Sequence, residues 1–413
     1  MKSSAGKRVL MLLENNAYPQ DGRVRREATT LIAAGYQVSV ISPKDIQIEQ
    51  PWREIVDEVR VYRYPMPPAA NGFLGYIWEY SYSMVAMFIL SWLVSYREGF
   101  DIIHAHNPPD TLVLIAAFYK LMGKRFVFDH HDLGPELYYY GRFGGNSNRF
   151  VYRVLIWFEQ LSCQLADRVI ATNESYKAIE MERGKVQENQ ITIVRNGPDL
   201  DRLRLMAPDP VLRRKADIII GYVGELSFQD GLDYLLRALH HLIYDIGRLD
   251  FYCAIIGDGD ALDSLKQMAV ELNIDEYIWF TGWLSGSELV RCLSTIDVGV
   301  SPDPSNPYND RCTMIKISEY MALGKPIVVF DLPEHRVTAQ AAAVYARPND
   351  ELDFARQIIL LMDDQERRQK MGQLGRERIE TKLAWSYQEK HLLEAYEVLD
   401  LPREKSLSVH NNF

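Results

Sequence analysis

Four short stretches of the sequence concentrate residues able to do chemistry. FVFDHHDL (126–133) runs an apolar strand into Asp129, His130, His131 and Asp132, groups that can polarise a hydroxyl or move its proton. Alternate residues of an extended strand face opposite ways, so only one of His130 and His131 can look into a given site. DIIHAH (101–106) puts His104 and His106 on one strand face. With His130 or His131 they could imitate a hydrolase metal centre of His and Asp ligands. IIGDGD (255–260) spaces Asp258 and Asp260 one residue apart, although Gly and Asp at a strand-to-helix turn also serve its geometry. TMIKISEYMALGKPIVVF (313–330) reads as a helix carrying Lys316 and Glu319, ended by Gly324 and Pro326 before a buried strand.

These residues need a scaffold, and the chain is long enough for two. Its 413 residues exceed one ordinary core, and 47% hydrophobic with 25% charged residues is the balance of a soluble globular enzyme. A net charge of -10 argues against nucleic acid as a partner and makes local basic patches more informative than the total. Cys163, Cys253, Cys292 and Cys312 form no CxxC pair, which fits a reducing compartment without zinc ribbon or disulfide framework. The start, MKSSAGKRVLMLLENN, enters a strand-like run directly and lacks the pattern of a signal peptide, so a cytoplasmic location is expected.

Val- and Ile-rich runs at 8–13, 37–42, 100–106, 125–129, 167–171 and 191–194 read as buried parallel strands. Between the first two, Val24, Ala28, Leu31 and Ile32 keep helical spacing. The pattern restarts after a polar stretch at 199–217, with runs at 217–224, 250–257, 277–282, 297–302 and 326–330. Leu232, Leu235, Leu236, Leu239 and Ile243 share a helix face there, and Ser285 with Glu288 spells a capping box. Two Rossmann-like α/β domains follow: 1–200, then 201–382, with 383–413 a helix and a loose polar tail. Ligands of such sheets bind at strand carboxyl ends, so a cleft between the halves is the expected site. One segment stands apart, YIWEYSYSMVAMFILSWLVSYR (76–97). Its uninterrupted apolar core is far short of the ~20 residues of a membrane span, which leaves packing on the sheet or peripheral docking on a membrane, assisted by Arg23, Arg25 and Arg26.

The stretch EYMALGKP (319–326) resembles the donor-binding segment of the retaining GT-B glycosyltransferases of family four. Further landmarks occur in that family's order: 21–38, DIIHAH, FVFDHHDL, IVRNGPD (193–199), GYVGELSFQDG (221–231), IIGDG and FTGW (280–283). The resemblance implies a GT-B fold whose closing helices cross back to the N-terminal domain. It implies a transferase using a UDP- or GDP-sugar, a glycan or polyprenyl-linked acceptor and no metal cofactor. Glu319 would then bind the donor ribose, since a carboxylate accepts two bonds from a vicinal diol. The helix start near Thr313 would face the diphosphate. His131 matches the family's strand-end histidine and would contact the reacting sugar or acceptor, with Asn107, Asp110 and Glu136 lining acceptor space. In two places the sequence departs from the pattern. The first of two glutamates separated by seven intervening residues is here Arg311, and the Arg and Lys that usually grip the diphosphate are Glu225 and Asp230. Lys316 and Arg311, with the backbone of Gly224 and Gly231, are the expected substitutes. A nucleotide-sugar epimerase and a binding protein without turnover are the competing readings.

Overall fold

The computed structural model describes residues 6–45, 48–66, 72–141 and 148–399, so the loose tail expected after Leu399 lies outside them. Contacts divide the chain into two compact units. The first contains the chain to Leu137, a later segment ending at Arg195, and the chain from Gln388. The second contains Asn196–Tyr387 and a short segment beginning at Tyr138.

An eight-stranded sheet forms the first unit: β1 (Arg8–Leu12), β2 (Gln37–Pro43), β3 (Arg53–Val56), β4 (Val59–Tyr64), β5 (Ile102–His106), β6 (Arg125–His130), β7 (Arg168–Ala171) and β8 (Ile191–Ile193). Its order is β3-β4-β2-β1-β5-β6-β7-β8, parallel except where β3 meets β4. All six apolar runs of the first half are strands. The β3/β4 hairpin lies outside them because REIV and VRVYRY mix charged with apolar residues, as an edge can. The second unit is a six-stranded parallel sheet: β9 (Ile218–Val223), β10 (Phe251–Ile256), β11 (Ile278–Gly282), β12 (Val298–Ser301), β13 (Ile327–Phe330) and β14 (Ala343–Ala346). Its order is β11-β10-β9-β12-β13-β14. Strand order therefore reverses between β1 and β5 in one sheet and between β9 and β12 in the other. At such points adjacent connections leave to opposite faces and open a crevice at the carboxyl ends.

Helices in the first unit are α1 (Gly22–Ala33), α2 (Gly72–Arg97), α3 (Val113–Leu121), α4 (Arg149–Leu165) and α5 (Glu174–Glu182). Asp21 caps α1 by accepting from the Val24 N–H at 2.8 Å, while Val24, Ala28 and Leu31 turn into the core. The second unit has α6 (Leu232–His240), α7 (Gly286–Thr295), α8 (Ile315–Ala322) and α9 (Pro333–Ala339) among its helices. Leu232, Leu235, Leu236 and Leu239 of α6 are buried as their spacing predicts, each side chain worth about 1.5–3 kcal/mol of transfer free energy. Ser285 stands at the N-cap of α7, but its side chain accepts no first-turn N–H, so the capping box is not formed. A C-terminal helix, Trp385–Leu399, returns to the first unit, where Tyr396 packs edge-on against Tyr36.

Arg23 corrects a further expectation. It is buried rather than presented at the surface, and its Nε and Nη2 donate to the two carboxylate oxygens of Asp129 on β6, both at 2.7 Å. A third donor, Nη1, reaches the Val194 carbonyl at 3.0 Å, so one guanidinium ties α1 to β6 and to the end of β8. Removing one partner of a buried pair strands the other's charge. Arg23→Met should therefore cost about 3–5 kcal/mol in urea unfolding followed by circular dichroism; a loss below about 1 kcal/mol would show that the pair is not structural.

Candidate active site

In the second unit the residues with chemical potential converge on the carboxyl ends of β9 and β12. Lys316, in the first turn of α8, is buried, and its Nζ donates to Asp303 Oδ1 at 2.8 Å, Asp230 Oδ1 at 3.1 Å and the Tyr222 hydroxyl at 3.3 Å. An ammonium has three protons, and these bonds use all of them. Burial alone would depress Lys316, but Asp303, Tyr222 and Asp230 outweigh it and lift its pKa well above the usual lysine range. Burial likewise opposes ionisation of Asp303, yet Lys316 holds it below the usual value, and Ser301 Oγ donates to its other oxygen. Asp230 is the weak member. Burial, only partly offset by Lys316, pushes it up to about 6, and its side chain keeps 17% exposure.

Glycine shapes this corner for two reasons. Gly231 sits at φ +69°, and a Cβ there would lie 2.3 Å from the Pro302 carbonyl. Gly224 sits at φ +151°, a conformation that strains a side chain, and a Cβ there would lie 3.0 Å from the Tyr222 hydroxyl that Lys316 bonds. Both glycines are thus required by packing before any ligand is considered. Three residues beyond Lys316, Glu319 lies on the same helix and is half-buried. No side chain caps the first turn of α8, whose N-cap is Met314, so the helix start offers its N–H groups and positive dipole end. Arg311 ends a short turn of 3-10 helix, and its Nη1 donates to the Pro307 carbonyl at 2.6 Å. Asp258 serves its turn, accepting from the Gly259 N–H at 2.8 Å.

In the first unit a second polar cluster occupies the ends of β5 and β6. His130 and His131 diverge as strand alternation requires. His130 is buried with Nδ1 3.1 Å from Glu180 and Nε2 3.5 Å from Glu159. Its burial opposes a charge, but the two glutamates prevail and raise its pKa well above the usual imidazole range. His131 is the more accessible, with Nδ1 3.4 Å from Asp129 Oδ2. Asn107 positions it: the side-chain oxygen accepts from the backbone N–H of His131 at 2.8 Å and of Asp132 at 3.1 Å. Its amide nitrogen donates to the Asp132 carbonyl at 2.6 Å and to Asp110 at 3.1 Å.

Asn107, Asp110 and Glu136 therefore have interior partners where an acceptor-lining role was expected. All three are buried, and both Glu136 oxygens accept from Arg183, at 2.5 and 3.1 Å. Burial, with Glu159 nearby, raises Asp110 to about 7.

His104 and His106 belong to the same interior. With Glu27 and Asp129 they offer four ligand atoms within 4.8 Å of one another. Arg23 competes for that role. Its guanidinium holds both Asp129 oxygens and lies 3.2 Å from Glu27, so the cluster carries its own cation. His106 Nδ1 meets Asp129 Oδ2 at 2.9 Å, and His104 Nδ1 meets the Tyr396 hydroxyl at 2.8 Å. Asp303, Tyr222, Arg23 and Glu27 escape sequence reasoning as site residues. Their only local signals are a strand-end position for Asp303 and a helix-start arginine with a glutamate four residues on.

Both clusters lie at the carboxyl ends of doubly wound parallel sheets, where such folds bind their ligands, and comparison with known proteins specifies the class. Residues 23–202 match the model of Glycosyltransferase Family 4, and residues 217–364 that of Glycosyl transferases group 1. An uncharacterized glycosyltransferase of Methanocaldococcus jannaschii is 25% identical over 318 residues, covering 73% of this chain and 74% of that one. Among solved structures, a sucrose-phosphate synthase of Thermosynechococcus elongatus superposes with a TM-score of 0.78 at 18% identity, covering 95% of this chain and 99% of the other. The Anabaena protein HepE, solved with UDP and glucose, gives 0.72 at 15%, with 95% and 99% covered. The chain is a glycosyltransferase with the GT-B fold.

His130 yields a pH prediction. A histidine whose folded pKa is raised stabilises fully below its unfolded value of about 6.5 and loses that contribution as pH rises toward the folded value. Between pH 7 and 9 the urea midpoint of the wild type should fall relative to that of His130→Gln. Parallel pH profiles for the two proteins would show that His130 is neutral.

Proposed function

We propose that this glycosyltransferase moves a sugar from a nucleoside diphosphate sugar, a UDP- or GDP-sugar, to a glycan or polyprenyl-linked acceptor, with retention of configuration and without a metal. The carrying observation is Lys316, an ammonium set beside the glycine turn in the first turn of the helix that bears Glu319. Departure of a nucleoside diphosphate builds negative charge on the leaving oxygens while the sugar becomes oxocarbenium-like, so charge must be supplied where the diphosphate lies. Lys316 and the uncapped N–H groups of α8 supply it in place of the Arg and Lys replaced by Glu225 and Asp230. The diphosphate takes over the ammonium donor now held by Asp230, the partner most easily protonated, while Asp303 stays as the permanent counter-ion. Glu319 accepts from the ribose hydroxyls, and Arg311 adds positive charge before the helix. HepE's complex with UDP and glucose supports a nucleotide-sugar donor.

His131 serves the reacting sugar or acceptor. The Asp129 carboxylate, kept ionised by Arg23 against its burial, favours the proton on Nδ1 and leaves Nε2 to accept from a hydroxyl. Arg23 also supplies the cation for both carboxylates of the His104–His106 cluster, which supports metal-independent chemistry. Four buried cysteines that form no disulfide support a cytoplasmic place of action, and assembly of cell-surface polysaccharide is the proposed setting. Neither the epimerase nor the turnover-free reading draws support from the similar proteins.

A thermal-shift screen with UDP, GDP, ADP and their sugar conjugates should find one responding nucleotide. For that nucleotide, Lys316→Ala and Glu319→Gln should each weaken binding at least tenfold, about 1.4 kcal/mol. Glu319→Gln leaves the buried pair intact, so it separates ligand contact from folding. Unchanged affinity in both variants would contradict the assignment.

A further inference from the structure

Helices α2, α3 and α4 present an apolar face that nothing in the described chain covers. Residues 80–96 of α2 contain no charged side chain, although a helix beside solvent ordinarily carries charge on its outer stripe. Val85, Ile89, Trp92 and Tyr96, spaced 4, 3 and 4 apart, form that stripe and are exposed, Tyr96 at 90%. The stripe continues onto α3, because Phe118 packs against Trp92 with ring centres 5.8 Å apart and against Phe88 at 5.3 Å. One turn beyond Phe118, Leu121 is also 90% exposed. On α4, which packs against α3, Trp157 is 54% exposed. Scattered exposed apolar residues need no explanation, but a contiguous aromatic and aliphatic face does.

Apart from Glu79, half-buried near the start of α2 and close to Glu14 and Tyr64, and Glu159 on α4, the charges on these helices are positive. Arg97 at the end of α2 and Arg149 and Arg153 on α4 are exposed. Glu159 on α4 is buried against Arg183 and His130, and Glu98 just after α2 is paired with Arg53. A chain with a net charge of -10 therefore carries exposed arginines on two of the helices that bear this apolar face. Trp and Tyr on such a face suit the headgroup boundary, where one end of the ring is apolar and the other wet. No described helix is long and apolar enough to cross a membrane, so the face would lie on a bilayer and not span it.

We propose that the α2–α3–α4 face docks on an anionic lipid bilayer, with Ile89, Trp92 and Leu121 entering the headgroup region and Arg97, Arg149 and Arg153 meeting lipid phosphates. This extends the expectation raised by 76–97 to three helices and replaces Arg23, which is buried, with exposed arginines. Docking of this kind would bring a lipid-linked acceptor to the protein in two dimensions, and it requires nothing of the donor site.

The full chain, without nucleotide, would be sedimented with vesicles of phosphatidylcholine alone and of an equal mixture of phosphatidylcholine and phosphatidylglycerol. Binding to the mixed vesicles should be at least about tenfold tighter than to phosphatidylcholine and should weaken with added salt. The double variant Ile89→Glu, Leu121→Glu should lose at least about tenfold in binding to mixed vesicles, and so should Arg149→Glu with Arg153→Glu. Both substituted sites are exposed, so far-ultraviolet circular dichroism and the nucleotide thermal shift should match wild type. Failure of the wild type to bind mixed vesicles would overturn the proposal, as would full binding by the apolar double variant. Conversion of a dimer to a monomer by that variant, with vesicle binding unchanged, would assign the face to a second copy of the chain.

Discussion

The second unit depends on one buried ammonium. Lys316 cannot remain charged away from water unless anions are fixed beside it, and its neighbourhood is organised to fix them. Asp303 arrives from the end of β12, Asp230 from the turn after β9, and Tyr222 from β9 itself. Gly231 lets that turn close against the Pro302 carbonyl, and Gly224 leaves room for the Tyr222 hydroxyl. The turn thus supplies a carboxylate, Asp230, and the helix supplies the cation it meets, Lys316.

A comparable arrangement orders the first unit. Arg23 comes from the helix after β1 to a carboxylate at the end of β6, and Asp129 then orients His106 and His131. His104 continues the network to Tyr396 on the C-terminal helix. In both units a cation from a helix meets a carboxylate at a strand's carboxyl end, close to where strand order reverses. The crevice geometry of a doubly wound sheet makes that the place where charge can be buried on one side and still reach a ligand on the other. His130 shows the opposite use of the same strand, its imidazolium spent between Glu159 and Glu180 on stability.

Strands with continuous Val and Ile runs were legible because burial on both faces leaves one pattern open to them. The β3/β4 hairpin was not, since an edge tolerates alternating charge and its turn uses Asp57 and Glu58 at positive φ without a glycine. Glu319 and Lys316 were legible because a helix, a glycine stop and a strand follow in sequence. Their partners were not, because Asp230 and Asp303 are 86 and 13 residues from Lys316 and only the sheet order joins them. Asn107, Asp110 and Glu136 carry the residue types of a binding surface, and no local signal reveals that Arg183 and the His131 backbone claim them first.

If the donor diphosphate displaces Asp230 from Lys316, binding must raise the affinity of that carboxylate for a proton. Asp230 stands at about 6 against an ordinary 3.8, so near pH 6 it is part ionised and can take up a proton as the anion arrives. The phosphate groups of a sugar nucleotide are diesters and do not titrate in that range. Calorimetric titration of the responding sugar nucleotide near pH 6, in buffers of different ionisation enthalpy, should report net proton uptake that disappears in Asp230→Asn. Proton release, or an uptake that the substitution leaves intact, would contradict the exchange of Asp230 for diphosphate at Lys316.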